Sequence, residues 1–144
     1  MMKSVKRAAE RGMPIYAECG GLIYLGKSIE KDGKEYELSG ILPVKFRMNA
    51  KPQGHGYTEM LVDNDNPYFE KGILLKGHEF HYSGIIEKDD SLTTCFNVKR
   101  GTGSFDQRDG LLYKRVFGSY MHIHAIGCPE WQKGIIRAAK EYRK

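Results

Sequence analysis

Residues Met13–Ile29, MPIYAECGGLIYLGKSI, decide how the rest of the chain is read. Pro14 opens a short apolar run, Ile15-Tyr16-Ala17, which stops at Glu18-Cys19 and meets Gly20-Gly21. Leu22, Ile23, Leu25 and Ile29 then recur at helical spacing, so the stretch predicts a strand, a sharp turn and a helix. A residue at the apex of such a turn has a strained backbone and a side chain exposed above the sheet edge. Here that residue is Cys19. Free N–H groups and the macrodipole at a helix start favour the thiolate, the nucleophilic form of cysteine. Gly20 and Gly21 let substrate and backbone approach closely, and the Gly20 N–H is available to a developing oxyanion. A cysteine between two apolar runs is more often simply buried. The strand–Cys–Gly–Gly–helix context turns the expectation toward a nucleophile.

The composition suits one soluble domain with a moderate core: 144 residues, 40% apolar and 28% charged. No apolar run approaches the ~20 residues of a membrane span, and no signal peptide opens the chain. The net charge of +5, from 23 basic and 18 acidic residues, is spread along the length without blocks. A solvated mixed surface is therefore expected, with no nucleic acid and no membrane as partner. Cys19, Cys95 and Cys128 are widely spaced, with no CxxC, which fits a reducing cytoplasm rather than a disulfide framework.

Outward from the opening stretch, Lys3–Arg11 reads as a short amphipathic helix stopped by Gly12, and Lys31-Asp32-Gly33 as the turn of a surface loop or hairpin. Leu38–Met48 is apolar but broken by Gly40 and Pro43, which predicts a loop or an edge strand. Gly54–Val62, Lys76–Ser83, Leu92–Arg100 and Leu111–Tyr120 read as four strands, with Gly101–Gly110 a polar loop. Alternation along Lys76–Ser83 puts Glu79, His81 and Ser83 on one face and His78, Phe80 and Tyr82 on the other. Pro129–Lys144 predicts a closing helix with Trp131, Ile135, Ile136 and Ala139 as its buried stripe.

The histidines fall in three places: His55, His78/His81 and His122/His124. A nucleophilic thiol needs a base within hydrogen-bond reach, and histidine is the usual one. In α/β enzymes with an elbow nucleophile the base comes later in the chain, after a strand, and both His122 and His124 satisfy that order. Zinc binding competes for the same residues, through His122-x-His124 and His78-x-x-His81. The second pair lacks the spacing of HExxH, and nothing supplies a full ligand set, so no metal is expected. No GKS or GKT is present, so the chain shows no ATP site of its own.

Three ordered pieces, AECGGLIYLG at Ala17–Gly26, GHEFHYS at Gly77–Ser83 and GSYMHIHA at Gly118–Ala125, resemble a known family. The chain is similar, over nearly its whole length, to the C-terminal glutamine amidotransferase domain of cobyrinic acid a,c-diamide synthase. Cobyric acid synthase and the nickel-sirohydrochlorin a,c-diamide synthase of methanogens are close relatives of that family. The resemblance implies a class I, flavodoxin-like α/β layer fold with a largely parallel sheet. It also implies a glutaminase step, in which Cys19 attacks the side-chain amide of glutamine while His122 relays the proton. A glutamyl thioester forms and water releases glutamate. His122 occupies the base position of the family pattern His-x-Glu, and His124 stands where that pattern has its orienting carboxylate. The third catalytic member is thus unassigned, with Glu79 and His81 as further supporting candidates.

In the full-length enzymes the ammonia passes to an ATP- and magnesium-dependent domain that amidates the a and c carboxylates of the corrinoid in cobalamin biosynthesis. The resemblance therefore implies an ATP-dependent, glutamine-hydrolysing amide ligase of which residues 1–144 are a single amidotransferase domain, with no cofactor in this chain. That domain ordinarily begins with further strands and a glycine-rich loop serving the oxyanion hole, which would precede Met1. The chain is accordingly expected to be a split subunit or fragment, poor in glutaminase activity alone. Its exposed sheet edge should invite pairing with an ATP-dependent partner or a second copy. Two alternatives stand beside this expectation: a nickel-sirohydrochlorin a,c-diamide synthase component, and a non-catalytic docking remnant of the same fold.

Overall fold

A computed structural model describes residues 1–143. Helix α1 (Met2–Glu10) leads into strand β1 (Ile15–Glu18), and helix α2 (Gly20–Leu25) follows with Cys19 between them. α2 is shorter than the apolar spacing predicts, because Gly26 ends it and Ile29 belongs to the next strand, β2 (Ser28–Lys31). β2 turns at Asp32-Gly33, both at positive φ, into β3 (Lys34–Glu37), giving the hairpin reading of that region.

The segment expected as a loop or edge strand supplies β4 (Val44–Met48), which lies between two neighbours inside a sheet. Both chain breakers, Gly40 and Pro43, precede the strand and leave its hydrogen bonding intact. Strands β5 (Gly54–Val62), β6 (Leu74–His81), β7 (Ser83–Lys88) and β8 (Thr93–Arg100) follow. Leu111–Tyr120 is not one strand but the body of a tight hairpin between β9 (Arg108–Tyr113) and β10 (Val116–Ser119). Lys114 makes the turn at φ 52°, a position where the sequence offers neither Gly nor Asn as a signal. A single 3₁₀ turn (Ala125–Gly127) and helix α3 (Pro129–Tyr142) complete the chain. The stripe α3 buries is Trp131, Gly134, Ile135 and Ala138, whereas Ile136 and Ala139 face outward.

The strands form a six-stranded sheet, in the order β1-β10-β9-β8-β5-β6, and a four-stranded sheet, β3-β2-β4-β7. Among the described residues only the β1–β10 and β2–β4 pairs run parallel. The expectation of a largely parallel sheet is thus corrected for this part of the fold: short hairpin connections force antiparallel neighbours, and only long crossovers allow parallel ones. β6 and β7 are nearly continuous, with only Tyr82 between them, so one extended segment leaves the larger sheet and enters the smaller.

Alternation along β1 and β10 explains the layers. Tyr16 and Phe117 enter a core with Met60, Phe69, Phe96 and Met121 that α3 covers. Ile15, Ala17 and Val116 enter a second core on the other face, with Leu22, Leu25, Leu42, Phe46 and Tyr120. Packed on both faces, β1 and β10 form a rigid pair whose C-terminal ends carry the site.

Candidate active site

In the parallel register Ala17 stands opposite Gly118 and Glu18 opposite Ser119, so both strands deliver their next residues to one sheet edge. The Cys19 N–H donates to the Ser119 carbonyl at 2.8 Å, and the Cys19 carbonyl accepts from the Ile23 N–H at 3.0 Å. Belonging to a strand on one side and a helix on the other bends Cys19 to φ 49°, ψ −105°. A non-glycine residue holds such a conformation only when its surroundings enforce it.

The Cys19 Sγ is partly exposed, and its S–H is directed at the Phe80 carbonyl at 3.8 Å. Burial raises the thiol's pKa above its ordinary value and the neighbouring Glu18 carboxylate adds to the rise, while the Gly20 N–H, directed at the sulfur, opposes it. The expected thiolate at the helix start is corrected accordingly. α2 has six residues and a correspondingly small dipole, and desolvation outweighs it. The upward direction of the shift works against a free thiolate, so nucleophilic attack calls for a base.

His122 lies just beyond β10. Its N–H donates to the His78 carbonyl at 2.7 Å, and the His78 N–H donates back to the His122 carbonyl at 3.2 Å. This bridge stacks the two imidazoles, with ring centroids 5.0 Å apart and planes 17° from parallel. It requires Gly77, since a Cβ at that position would sit 2.4 Å from the His122 carbonyl oxygen. The Nδ1 of His122 is 3.5 Å from Glu18 Oε2. Glu18 Oε1 accepts from the Tyr16 hydroxyl at 2.9 Å and from the Ile123 N–H at 3.2 Å.

Asp109 secures the same edge from inside the sheet. Fully buried, it accepts from Ser104 Oγ at 2.7 Å, Gly110 N–H at 2.8 Å, Ser119 Oγ at 2.9 Å and Tyr120 N–H at 3.1 Å. The last two bonds fix the chain where it leaves β10 for His122.

The other sequence candidates lie elsewhere. His124 is exposed, at the start of the 3₁₀ turn. Glu79 and His81 are buried, and apart from His81 Nε2, which has no hydrogen-bond partner, their polar atoms bond within the fold. Glu79 accepts from the N–H groups of Thr102 at 2.6 Å and Gly103 at 3.0 Å. His81 Nδ1 carries a proton to the Ser83 carbonyl at 2.8 Å, and its ring stacks on Tyr120 at 3.6 Å. Of the histidines considered as metal ligands, His78 and His122 are brought together as stacked rings, while His81 is buried and His124 is exposed. Among the described residues no group of three or more His, Cys, Asp or Glu is placed to hold a metal ion.

Glu18 and Asp109 are the residues that sequence reasoning missed. The signal for Glu18 was available: it shares a strand face with Tyr16 by alternation and ends the apolar run beside the cysteine. Asp109 gives no such signal, since it reads as part of a polar loop.

Residues 1–128 match the CobB/CobQ-like glutamine amidotransferase domain. The chain belongs to this family. It is 39% identical over 140 residues to the cobyrinate a,c-diamide synthase of Magnetococcus marinus, covering 97% of this chain and 30% of that protein. It is 38% identical over 142 residues to the cobyrinate a,c-diamide synthase of Methanothermobacter thermautotrophicus, covering 99% and 31%. The chain thus spans about 30% of the length of these curated relatives.

Two solved structures share the fold. A crystal structure of a glutamine amidotransferase superposes with a TM-score of 0.68 at 16% identity, over 96% of this chain and 68% of that one. PurLQS from Thermotoga maritima gives 0.70 at 22% identity, over 99% and 68%. The architecture is accordingly the class I, flavodoxin-like amidotransferase layer fold. No helix of the described residues is long and apolar enough to cross a membrane.

Proposed function

We propose that this CobB/CobQ-like domain is the glutaminase component of a cobyrinate a,c-diamide synthase, with Cys19 as nucleophile and His122 as base. The observation that carries the proposal is the shared edge: Cys19, strained at the end of β1, and His122, just past the parallel neighbour β10. The resemblance of the chain to enzymes of that name supports the substrate. Cys19 Sγ attacks the side-chain amide carbon of glutamine as its proton passes to His122. The Gly20 N–H, already directed at Sγ, faces the oxyanion of the tetrahedral intermediate. His122 returns the proton to the amide nitrogen, the C–N bond breaks, and ammonia leaves a glutamyl thioester on Cys19. Water attacks that thioester, giving its proton to His122, and the thiol is restored as glutamate departs.

Ammonia then serves an ATP- and magnesium-dependent domain or subunit that activates the cobyrinate carboxylates and forms the amides. That part supplies phosphoryl activation, and no step of it falls on residues of this chain. The edge position of β1 supports pairing of a further strand along it, from such a partner or from a second copy. The free cysteines Cys19, Cys95 and Cys128 support a cytoplasmic site of action.

The test is glutamate release and amide formation by the chain together with its ATP-dependent part. Cys19→Ser and His122→Asn should abolish glutamine-dependent amidation while leaving amidation from added ammonium salts intact. Glutamine-dependent activity surviving in Cys19→Ser would overturn the assignment.

A further inference from the structure

We propose that Glu18 is the carboxylate that positions His122, filling a role for which the histidine's own loop offers no acid. The inference rests on the reading of Cys19 and His122 as a glutaminase pair. Its basis is how completely the two carboxylate oxygens are divided. Oε1 is fixed by two donors, the Tyr16 hydroxyl at 2.9 Å and the Ile123 N–H at 3.2 Å, and Oε2 is left facing His122 Nδ1 at 3.5 Å.

Both clamps are themselves rigid. Tyr16 is stacked on Phe117 at 4.9 Å and packed edge-on against Tyr68 and Trp131. Burial first, and then the adjacent carboxylate, hold its pKa far above the ordinary tyrosine value, so the hydroxyl keeps its proton and donates. Ile123 directly follows His122, so the second clamp ties Glu18 to the backbone that carries the imidazole. A carboxylate held this way cannot rotate away from Nδ1 without breaking two hydrogen bonds.

The chemistry follows from which nitrogen the carboxylate faces. An acceptor at Nδ1 favours the tautomer with the proton there, leaving the Nε2 lone pair free to take a proton from sulfur. Glu18 alone disfavours a bare thiolate, since its charge raises the Cys19 pKa. When the proton moves from Sγ to Nε2, the same charge faces a new imidazolium and stabilises it. The carboxylate therefore opposes ionisation of the cysteine by itself and favours transfer of its proton to His122.

Glu18→Gln tests this directly. The substituted side chain has the same volume, and its carbonyl oxygen still accepts from Tyr16 and Ile123, but its amide N–H₂ is turned toward Nδ1. Two donors cannot face each other, so the His122 tautomer should invert to Nε2–H and present a proton, not a lone pair, to the sulfur. With the chain in its assembly with the ATP-dependent part, kcat for glutamine hydrolysis should fall about 10²–10⁴-fold with KM for glutamine within about twofold. Glu18→Asp, which keeps the charge, should recover part of that loss. Nitrogen-15 NMR of the His122 ring should give the Nδ1–H pattern in the wild type and Nε2–H in Glu18→Gln.

Wild-type kcat in Glu18→Gln, or an Nε2–H tautomer in the wild-type protein, overturns the inference. The wild-type spectrum decides the matter even if the variant does not fold. His122→Asn separates the two levels. If it retains glutaminase activity, the catalytic reading of the site fails, whereas the tautomer of the wild-type ring still reports on the hold of Glu18.

Discussion

Two carboxylate–imidazole pairs in this chain have the same N···O separation, 3.5 Å, and differ in almost everything else. Glu79 and His81 are each 2% exposed at the side chain, while Glu18 and His122 are 22% and 32% exposed. The Glu79 carboxylate holds the backbone of Thr102 and Gly103 and so anchors the loop between β8 and β9. The Glu18 carboxylate holds only the residue after His122 and a tyrosine on its own strand. Separation alone therefore says nothing about what either pair does. What differs is access: the His81 ring is enclosed by the fold, whereas His122 lies just past β10 at the sheet edge where Cys19 ends β1.

The largest expected effect comes from removing each imidazole in turn. His122→Asn should lower glutamine hydrolysis by at least about 10²–10⁴-fold, the range of a general acid–base group. His81→Asn should leave kcat within a few-fold and lower the urea midpoint instead. Equal losses of kcat from the two variants, measured as glutamate release on folded protein, would erase the distinction.

Two glycines offer a matched comparison one step removed from the chemistry. A Cβ on Gly77 would lie 2.4 Å from the His122 carbonyl oxygen, and one on Gly54 would lie 2.3 Å from His81 Nε2. Both substitutions overpack, at a typical cost of about 1–3 kcal/mol. Gly77→Ala should also displace His122 and lower kcat by tenfold or more, whereas Gly54→Ala should change only stability. Denaturation and steady-state kinetics on the two variants check this together.

These contrasts also mark what the sequence could and could not disclose. The turn at Cys19 was legible because an apolar alternation broken by Cys-Gly-Gly is a local signal. The parallel pairing of β1 with β10 was not, since about a hundred residues intervene and nothing local encodes the register. The β9–β10 hairpin was hidden because apolar residues flank Lys114-Arg115 on both sides without a turn former. Alternation placed Glu79 and His81 correctly on one face of β6, but period 2 cannot say which face meets the core. The role of Glu18 needed the tertiary contact to His122, although its place beside Cys19 was visible from the start.

Glu79→Ala separates the pairs through stability alone. It would leave the buried Gly103 N–H and the part-buried Thr102 N–H without their acceptor, and an unsatisfied buried donor costs about 1–3 kcal/mol. Relaxation of the 101–103 loop toward water should hold the total near 2–3 kcal/mol, read as a lower urea midpoint at unchanged slope. A loss below about 0.5 kcal/mol would show that the loop does not depend on this carboxylate.

The smallest expected effect is the pH dependence of that same pair. Burial pushes the Glu79 pKa upward, but the adjacent His81 ring and the hydrogen bonds from the Thr102 and Gly103 N–H groups outweigh it and hold the pKa below the ordinary value of 4.5. A carboxylate with a depressed folded pKa binds protons less readily in the native state than in the unfolded one. Its contribution is therefore fully present above about pH 4.5 and is lost as the pH falls through the folded value. The urea midpoint of the wild type should accordingly decline below pH 4.5. In Glu79→Gln the uncharged amide has no such titration, so the decline should be shallower there by the share that Glu79 contributes. Since other carboxylates titrate in the same window, the measured quantity is the difference between the two curves from pH 6 downward. A constant difference across the acid range would mean that the charge on Glu79 is not what holds the loop, and the contrast with the Glu18 pair would then rest on burial alone.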